Sequence, residues 1–181
     1  FTSQRPKAWV TSGAPVELLL ASDVIPIFPE NYGAMVGARH MGEGLCAVAR
    51  DLGFDDCICS YARCNIGSDE SGEGPLGALP KPDMLLACNN GCGTMFKWFQ
   101  YLSRRFDVPL LFLDTPYCSG TPTERDRAYL ASQIERMLKD LGGILGREVD
   151  RDRLWEVLRL SSDTAGLWRE IQELRKARPS P

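Results

Sequence analysis

The sequence has a single histidine, His40, so any metal centre in it would have to be rich in sulfur rather than imidazole. It has no surplus of positive charge. The 21 Lys+Arg against 24 Asp+Glu leave a formal net charge of -3, and the cationic field that favours a nucleic acid partner is missing. No stretch approaches the ~20 consecutive apolar residues that cross a bilayer. The opening Phe1-Thr2-Ser3-Gln4-Arg5 has neither an apolar run nor a small-residue cleavage site. A cytoplasmic protein without membrane contact is expected. No convincing internal repeat is found. With 181 residues, 44% hydrophobic and 25% charged, the composition is that of one ordinary globular domain rather than a disordered, collagenous or coiled-coil chain.

Against these absences stand seven cysteines. An odd number on a chain without an export signal argues for reduced thiols rather than a disulfide framework. Cys57, Cys59 and Cys64 lie close together, as do Cys88 and Cys92, while Cys46 and Cys118 stand apart. Zinc and an iron–sulfur centre are the two candidates for such a set.

Ala8-Trp9-Val10-Thr11 predicts a short strand, Ser12-Gly13-Ala14-Pro15 a tight loop, and Val16 to Ala21 a helix with Pro15 at its first turn. Val24 to Phe28 is apolar but holds Pro26, which cannot donate to a ladder, so an irregular strand is expected. Met35, Ala38, Leu45, Val48 and Ala49 recur at helical spacing and predict one helix from about Tyr32 to Leu52, weakened by four glycines. Residues 67 to 82, rich in glycine, proline and acid, predict a surface loop. Met84 to Ala87 reads as a strand, Cys92 to Phe106 as a helix, and Pro109 to Leu113 as the next strand. Two further helices are predicted, from Glu124 to about Leu141 and from Arg151 to about Arg178. The second carries Leu154, Trp155, Leu158, Leu167, Trp168, Ile171 and Leu174.

Continuously apolar strands alternating with helices must bury both sides, which predicts a mostly parallel sheet covered on both faces. The expected fold is thus α/β, a Rossmann-like three-layer domain over residues 1–122, with 123–181 as a helical extension whose ending reads as cut. In such a sheet, ligands bind beyond the carboxyl ends of the strands. Thr11-Ser12-Gly13, Pro29-Glu30-Asn31, Cys88 to Cys92 and Asp114-Thr115-Pro116 are predicted to meet there. A glycine-flanked cysteine opening a helix, such as Cys92, sits among free N–H groups and the positive end of the dipole, both of which favour thiolate.

Each feature also has a plainer reading. Buried free cysteines act as small hydrophobes, which suits Cys46 within a helix and Cys88 at a strand end, and leaves Cys57 and Cys64 undecided. Glu30 could be a solvated loop carboxylate or a helix-start residue, His40 a surface or packed histidine, and Asp114 the cap of its following turn. The Ser12-Gly13 loop carries neither the G-x-G-x-x-G fingerprint nor a P-loop lysine, which argues against NAD binding and ATP hydrolysis there. A zinc module using Cys57, Cys59, Cys64 and Cys88 or Cys92 would lack the paired C-x2-C knuckles typical of zinc ribbons.

Taken together, Trp9 to Leu18, Pro29-Glu30-Asn31, Cys59-Ser60-Tyr61-Ala62-Arg63, Leu86 to Thr94 with Lys97-Trp98-Phe99, and Asp114-Thr115-Pro116-Tyr117 resemble the 2-hydroxyacyl-CoA dehydratase and benzoyl-CoA reductase family. The resemblance runs in order along nearly the whole chain. It extends to Leu167-Trp168-Arg169-Glu170 and Ala177 to Pro181, which are similar to the segment where that family's first half runs into its second.

The resemblance implies two Rossmann-like halves around a [4Fe-4S] cluster held by three cysteines. Cys59 and Cys92 match two of them, Cys88 competes for the place given to Cys92, and the third belongs to a second α/β domain. It implies that Ser12 and Glu30 lie near the substrate thioester and its hydroxyl. The implied reaction removes water from a 2-hydroxyacyl-CoA. One electron enters the thioester carbonyl, the resulting ketyl radical anion expels the hydroxyl, and the otherwise barely acidic β proton can then leave. The electron would come from a separate ATP-hydrolysing iron–sulfur activator, and a homologous second subunit would complete a heterodimer. Reduction of an aromatic acyl-CoA, or a partner subunit that only relays electrons, are the alternatives. Two ligands do not hold a cluster tightly, so the 181-residue chain alone is expected to be inactive and to carry no stable cluster.

Overall fold

Short runs of apolar residues form the sheet: β1 (Lys7–Val10), β2 (Ile25–Ile27), β3 (Met84–Cys88) and β4 (Leu110–Leu113). They are seen in a computed structural model that describes residues 4–179. Neighbouring strands are all parallel, in the order β2-β1-β3-β4. Successive side chains of a strand point to opposite faces, and here both faces are dry. Ala8, Val10, Met84, Leu86, Cys88, Leu111 and Leu113 enter one core, while Trp9, Leu85 and Ala87 enter the other. The first is closed by α1 (Val16–Ala21), α6 (Glu124–Leu145) and the start of α7 (Arg151–Leu174). The second is closed by α4 (Ser60–Ser71) and α5 (Gly93–Phe106), with Ala49 of α3 (Gly42–Asp51). The predicted three-layer α/β arrangement is what the chain adopts.

Pro26 sits in the edge strand β2, opposite Ala8. Its missing N–H is tolerated there, and the strand shortens to three residues.

The single helix expected from Tyr32 to Leu52 is instead two, α2 (Pro29–Ala38) and α3, separated where His40 takes a left-handed φ of 57°. The break lets Tyr32 and Val36 from one helix and Leu45 from the other pack into a third small core with Cys64. A continuous helix would point these groups along one straight face.

α4 was not anticipated, and the loop expected from residue 67 begins only after Ser71. The reason lies in what α4 buries. Arg63, Asn65, Gly67 and Ser68 lie inside along with Ala62, Cys64 and Ile66, so there is no apolar stripe to read. The polar groups are paired instead. The Trp98 indole N–H donates to Asn65 Oδ1 at 3.0 Å, and Ser68 Oγ donates to the Glu73 carbonyl at 2.6 Å. The literal pattern Gly72-x-Gly74-x-x-Gly77 follows this helix rather than a strand, so it lacks the strand-to-helix context of a dinucleotide site.

α6 runs to Leu145, a turn beyond its predicted end, and starts on a capping box in which Thr123 and Asp126 bond each other's backbone N–H. α7 ends at Leu174, and within it only Leu154 and Val157 are buried. Trp155, Leu158, Leu167, Trp168, Ile171 and Leu174, the other apolar residues named for the predicted helix, are exposed. Among the described residues, no helix is long and apolar enough to cross a membrane.

Candidate functional site at the carboxyl edge of the sheet

Because every strand runs the same way, all four carboxyl ends open on one edge. The strand order adds something the sequence does not reveal. β1 pairs with β2 on one side and β3 on the other, which makes the crevice between β1 and β3 the point where connections turn in opposite directions, the preferred ligand position in an open α/β sheet.

Thr11 and Cys88 lie at the carboxyl ends of β1 and β3 on either side of that position. Thr11 N–H donates to the Leu86 carbonyl at 3.1 Å, and its buried hydroxyl accepts the Cys88 N–H at 3.2 Å. The Cys88 thiol donates to Asn90 Oδ1 at 2.8 Å, while Asn90 Nδ2 donates to the Gly13 carbonyl at 3.3 Å. Gly13 has φ of 77°, and a Cβ there would stand 2.7 Å from Asn90 Nδ2. The left-handed backbone conformation favours glycine, and a Cβ would displace the Asn90 amide from its bond to the Gly13 carbonyl.

Ser12 and Glu30 are in direct contact. Glu30, in the first turn of α2 and half-buried, accepts the Ser12 N–H at 2.5 Å and the Ser12 hydroxyl at 2.7 Å, both on Oε2. Glu30 is thus a helix-start residue, as one of its plainer readings has it, and its carboxylate is also bonded to Ser12.

Further along the edge, Asn89 Oδ1 accepts from the Thr115 N–H at 2.7 Å and from its hydroxyl at 2.6 Å. Asp114 does not cap its own turn as expected. Its carboxylate takes the Asn89 amide and the Tyr129 hydroxyl, tying β3, β4 and α6 together. Asn89, Asn90 and Tyr129 had no predicted role. Adjacent asparagines at a strand end are the one signal that marked two of them.

Cys59 and Cys92 occupy equivalent places: each is the N-cap of a helix, α4 and α5 respectively, and neither makes a side-chain cap hydrogen bond. Both are exposed. The two helices share one core, and residues adjoining both cysteines, Ile58 and Gly93, line a single cavity of about 370 Å³ floored by Trp98 and Ile66, with Lys97 on its wall. Arg63 anchors the start of α4. Its guanidinium donates to the Cys46 carbonyl at 3.1 Å and pairs with Asp56 at 2.5 Å, where Arg50 also binds.

The remaining cysteines are arranged differently. Cys88 is fully buried on the opposite face of the sheet from the buried Cys64, so the four sulfurs of the zinc alternative that includes Cys88 do not assemble. Among the described residues, no group of three or more His, Cys, Asp or Glu side chains is close enough to hold a metal ion. Burial, reinforced by a hydrogen bond with Cys46, pushes the Cys64 thiol up to about 12. The hydrogen bond and charge of Asp55 push the Cys57 thiol up from its ordinary range.

A labelling order follows from these environments, since the thiolate is the reacting form. Brief iodoacetamide treatment near pH 8, read by peptide mass spectrometry, is expected to modify Cys59, Cys92 and Cys118 first. Cys57 should lag and gain on them as the pH rises, while Cys64 and Cys88 stay unmodified until the protein unfolds. Early modification of Cys64 would contradict the burial described.

The model of the family described as 2-hydroxyglutaryl-CoA dehydratase, D-component, matches residues 11–181. The chain belongs to this family. Among the relatives of this D-component member, the (R)-2-hydroxyisocaproyl-CoA dehydratase alpha subunit of Clostridioides difficile is 35% identical over 179 residues, covering 98% of this chain and 44% of that protein. The (R)-phenyllactyl-CoA dehydratase alpha subunit of Clostridium sporogenes is 33% identical over 174 residues, covering 96% and 43%. A benzoyl-CoA reductase subunit of Thauera aromatica is 31% identical over 169 residues, covering 91% and 39%. The chain thus spans less than half the length of these relatives, and both the dehydratase and the reductase branches implied by the resemblance are represented among them.

Proposed function

We propose that this chain works within a longer dehydratase subunit that removes water from a 2-hydroxyacyl-CoA, as the names of its relatives suggest. In this reading residues 1–122 form the Rossmann-like half and 123–181 lead to a second α/β lobe. A homologous subunit and an ATP-hydrolysing iron–sulfur activator complete the system in the cytoplasm. The observation that carries the reading is the Ser12–Glu30 pair, seated beside the β1/β3 crevice at 2.5 and 2.7 Å.

The residues fit a share of a [4Fe-4S] site. Cys59 and Cys92 are exposed sulfurs at helix N-caps, and neither makes a side-chain cap hydrogen bond, so both are sterically free to take a metal. A third sulfur would come from the second lobe. When bound, such a cluster supplies single electrons at low potential and an iron position open to an oxygen. The chain's own residues hold and orient the substrate. The Ser12 hydroxyl, its proton committed to Glu30, keeps lone pairs to accept from a donor. Glu30 retains Oε1 to take a hydrogen bond from the substrate hydroxyl, and the buried Thr11–Cys88–Asn90 network keeps the Ser12-Gly13 loop from shifting.

The test uses the full-length subunit with its partner, reconstituted anaerobically with iron and sulfide. Broad visible absorbance is expected, lost in Cys59→Ala and in Cys92→Ala and kept in Cys88→Ala. Undiminished absorbance in either of the first two, or a colourless protein holding one zinc, rules the reading out. The similarity to a benzoyl-CoA reductase keeps an aromatic acyl-CoA as the second substrate to assay.

A further inference from the structure

Two cysteines that the proposed chemistry does not use face each other. Cys46 on α3 and Cys64 on α4 have their sulfur atoms 3.6 Å apart, at van der Waals contact. Among the described residues, neither thiol has a stronger partner than the other. Their other polar neighbours are backbone carbonyls at long sulfur distances, Ser60 O at 4.0 Å from Cys46 Sγ and Gly42 O at 3.9 Å from Cys64 Sγ.

The approach of the two sulfurs is set by the backbone rather than by side-chain choice. α3 and α4 cross so closely that a Cβ on Gly67 would stand 2.0 Å from the Leu45 carbonyl oxygen, and Leu45 adjoins Cys46. Arg63, next to Cys64, fastens the same crossing through the Cys46 carbonyl at 3.1 Å. Access is graded: Cys64 is buried, while Cys46 is only partly so.

We propose that Cys46 and Cys64 are a disulfide-forming dithiol, a modification site separate from the cap cysteines, that exchanges with small-molecule disulfides and locks α3 to α4. The Cys46 thiolate attacks one sulfur of the incoming disulfide, forming a mixed disulfide and releasing one thiol. Cys64 then attacks Cys46 Sγ, its proton passing to the departing thiolate, which leaves as the second thiol. One protein S–S bond replaces two S–H groups, and the small disulfide is reduced to two thiols. The sulfurs must close from 3.6 Å to a bond length of about 2.05 Å. The crosslink would fix the helix whose N-cap is Cys59.

The protein is treated anaerobically with oxidised glutathione, raised until Cys118 is fully modified, then blocked with iodoacetamide and digested. The expected result is a Cys46–Cys64 linked peptide, lighter by two hydrogens than the two free peptides together, as the main intrachain disulfide. The thermal midpoint should rise by about 5 °C or more through the closed loop. Cys46→Ser, at the more accessible position, should remove both the linked peptide and the rise without unfolding the protein. Recovery of Cys46 and Cys64 as alkylated thiols while Cys118 carries glutathione would overturn the proposal. So would a linked protein with a lowered midpoint, since the pair would then be strained rather than preformed.

Discussion

Gly67→Ala is expected to lower the thermal midpoint by about 6–12 °C, although alanine is the better helix former. In an open helix position the same change gains up to about 1 kcal/mol. At Gly67 the added carbon would stand 2.0 Å from the Leu45 carbonyl oxygen and 2.8 Å from its carbon. These are backbone atoms of a packed helix and cannot rotate away. α3 and α4 must therefore separate, at a cost near the upper end of the overpacking range, about 3 kcal/mol. For a domain of this size each kcal/mol shifts the midpoint by roughly 2–4 °C. Gly44→Ala in α3 is the matched control. Among the described residues outside its own turn of helix, none comes within 4 Å of the new carbon there, and a slight rise is expected. Paired melts of the two variants decide it: equal small effects would mean that the α3–α4 approach is not as close as described.

Glu30→Gln is expected to cut dehydration by at least about 100-fold in the assembled enzyme while leaving the visible absorbance and the melting midpoint nearly unchanged. Glutamine keeps an oxygen that can accept both Ser12 bonds, so the local geometry survives. What is lost is the negative charge and the ability to hold a proton, and groups with that role are worth about 10²–10⁴ in rate. Ser12→Ala should lower turnover by removing the hydroxyl while sparing the fold, since Ser12 is exposed. If turnover by the Glu30 variant equals that of the parent, this subunit does not hold the reacting substrate, and the electron-relay reading takes its place.

The parts of the fold that were legible share one property: their residues announce their neighbours by hydrophobicity alone. Leu85, Leu86 and Ala87 are apolar in succession because β3 is covered on both faces, and Met95, Phe99 and Leu102 mark the inner side of α5. α4 escaped because its inside is polar and small. Asn65 is buried against the Trp98 indole and Gly67 against a carbonyl oxygen, and neither pairing leaves a periodic trace. The break at His40 escaped because helical spacing ran on across it, and only packing onto α4 rewards the interruption. The role of Asp114 is hidden for a similar reason, since its partners Asn89 and Tyr129 are distant in sequence.

By itself the sequence determined an α/β domain with apolar strands buried on both faces, a chain rich in free thiols, and a set of motifs characteristic of one family, because composition, local periodicity and motif order are properties of contiguous residues. Tertiary structure alone decided the strand order around β1, the hydrogen bonds joining Ser12 to Glu30 and the contact of Cys46 with Cys64. Each of these depends on which distant segments become neighbours, and that follows from burial and backbone pairing summed over the whole chain rather than from any one stretch of it.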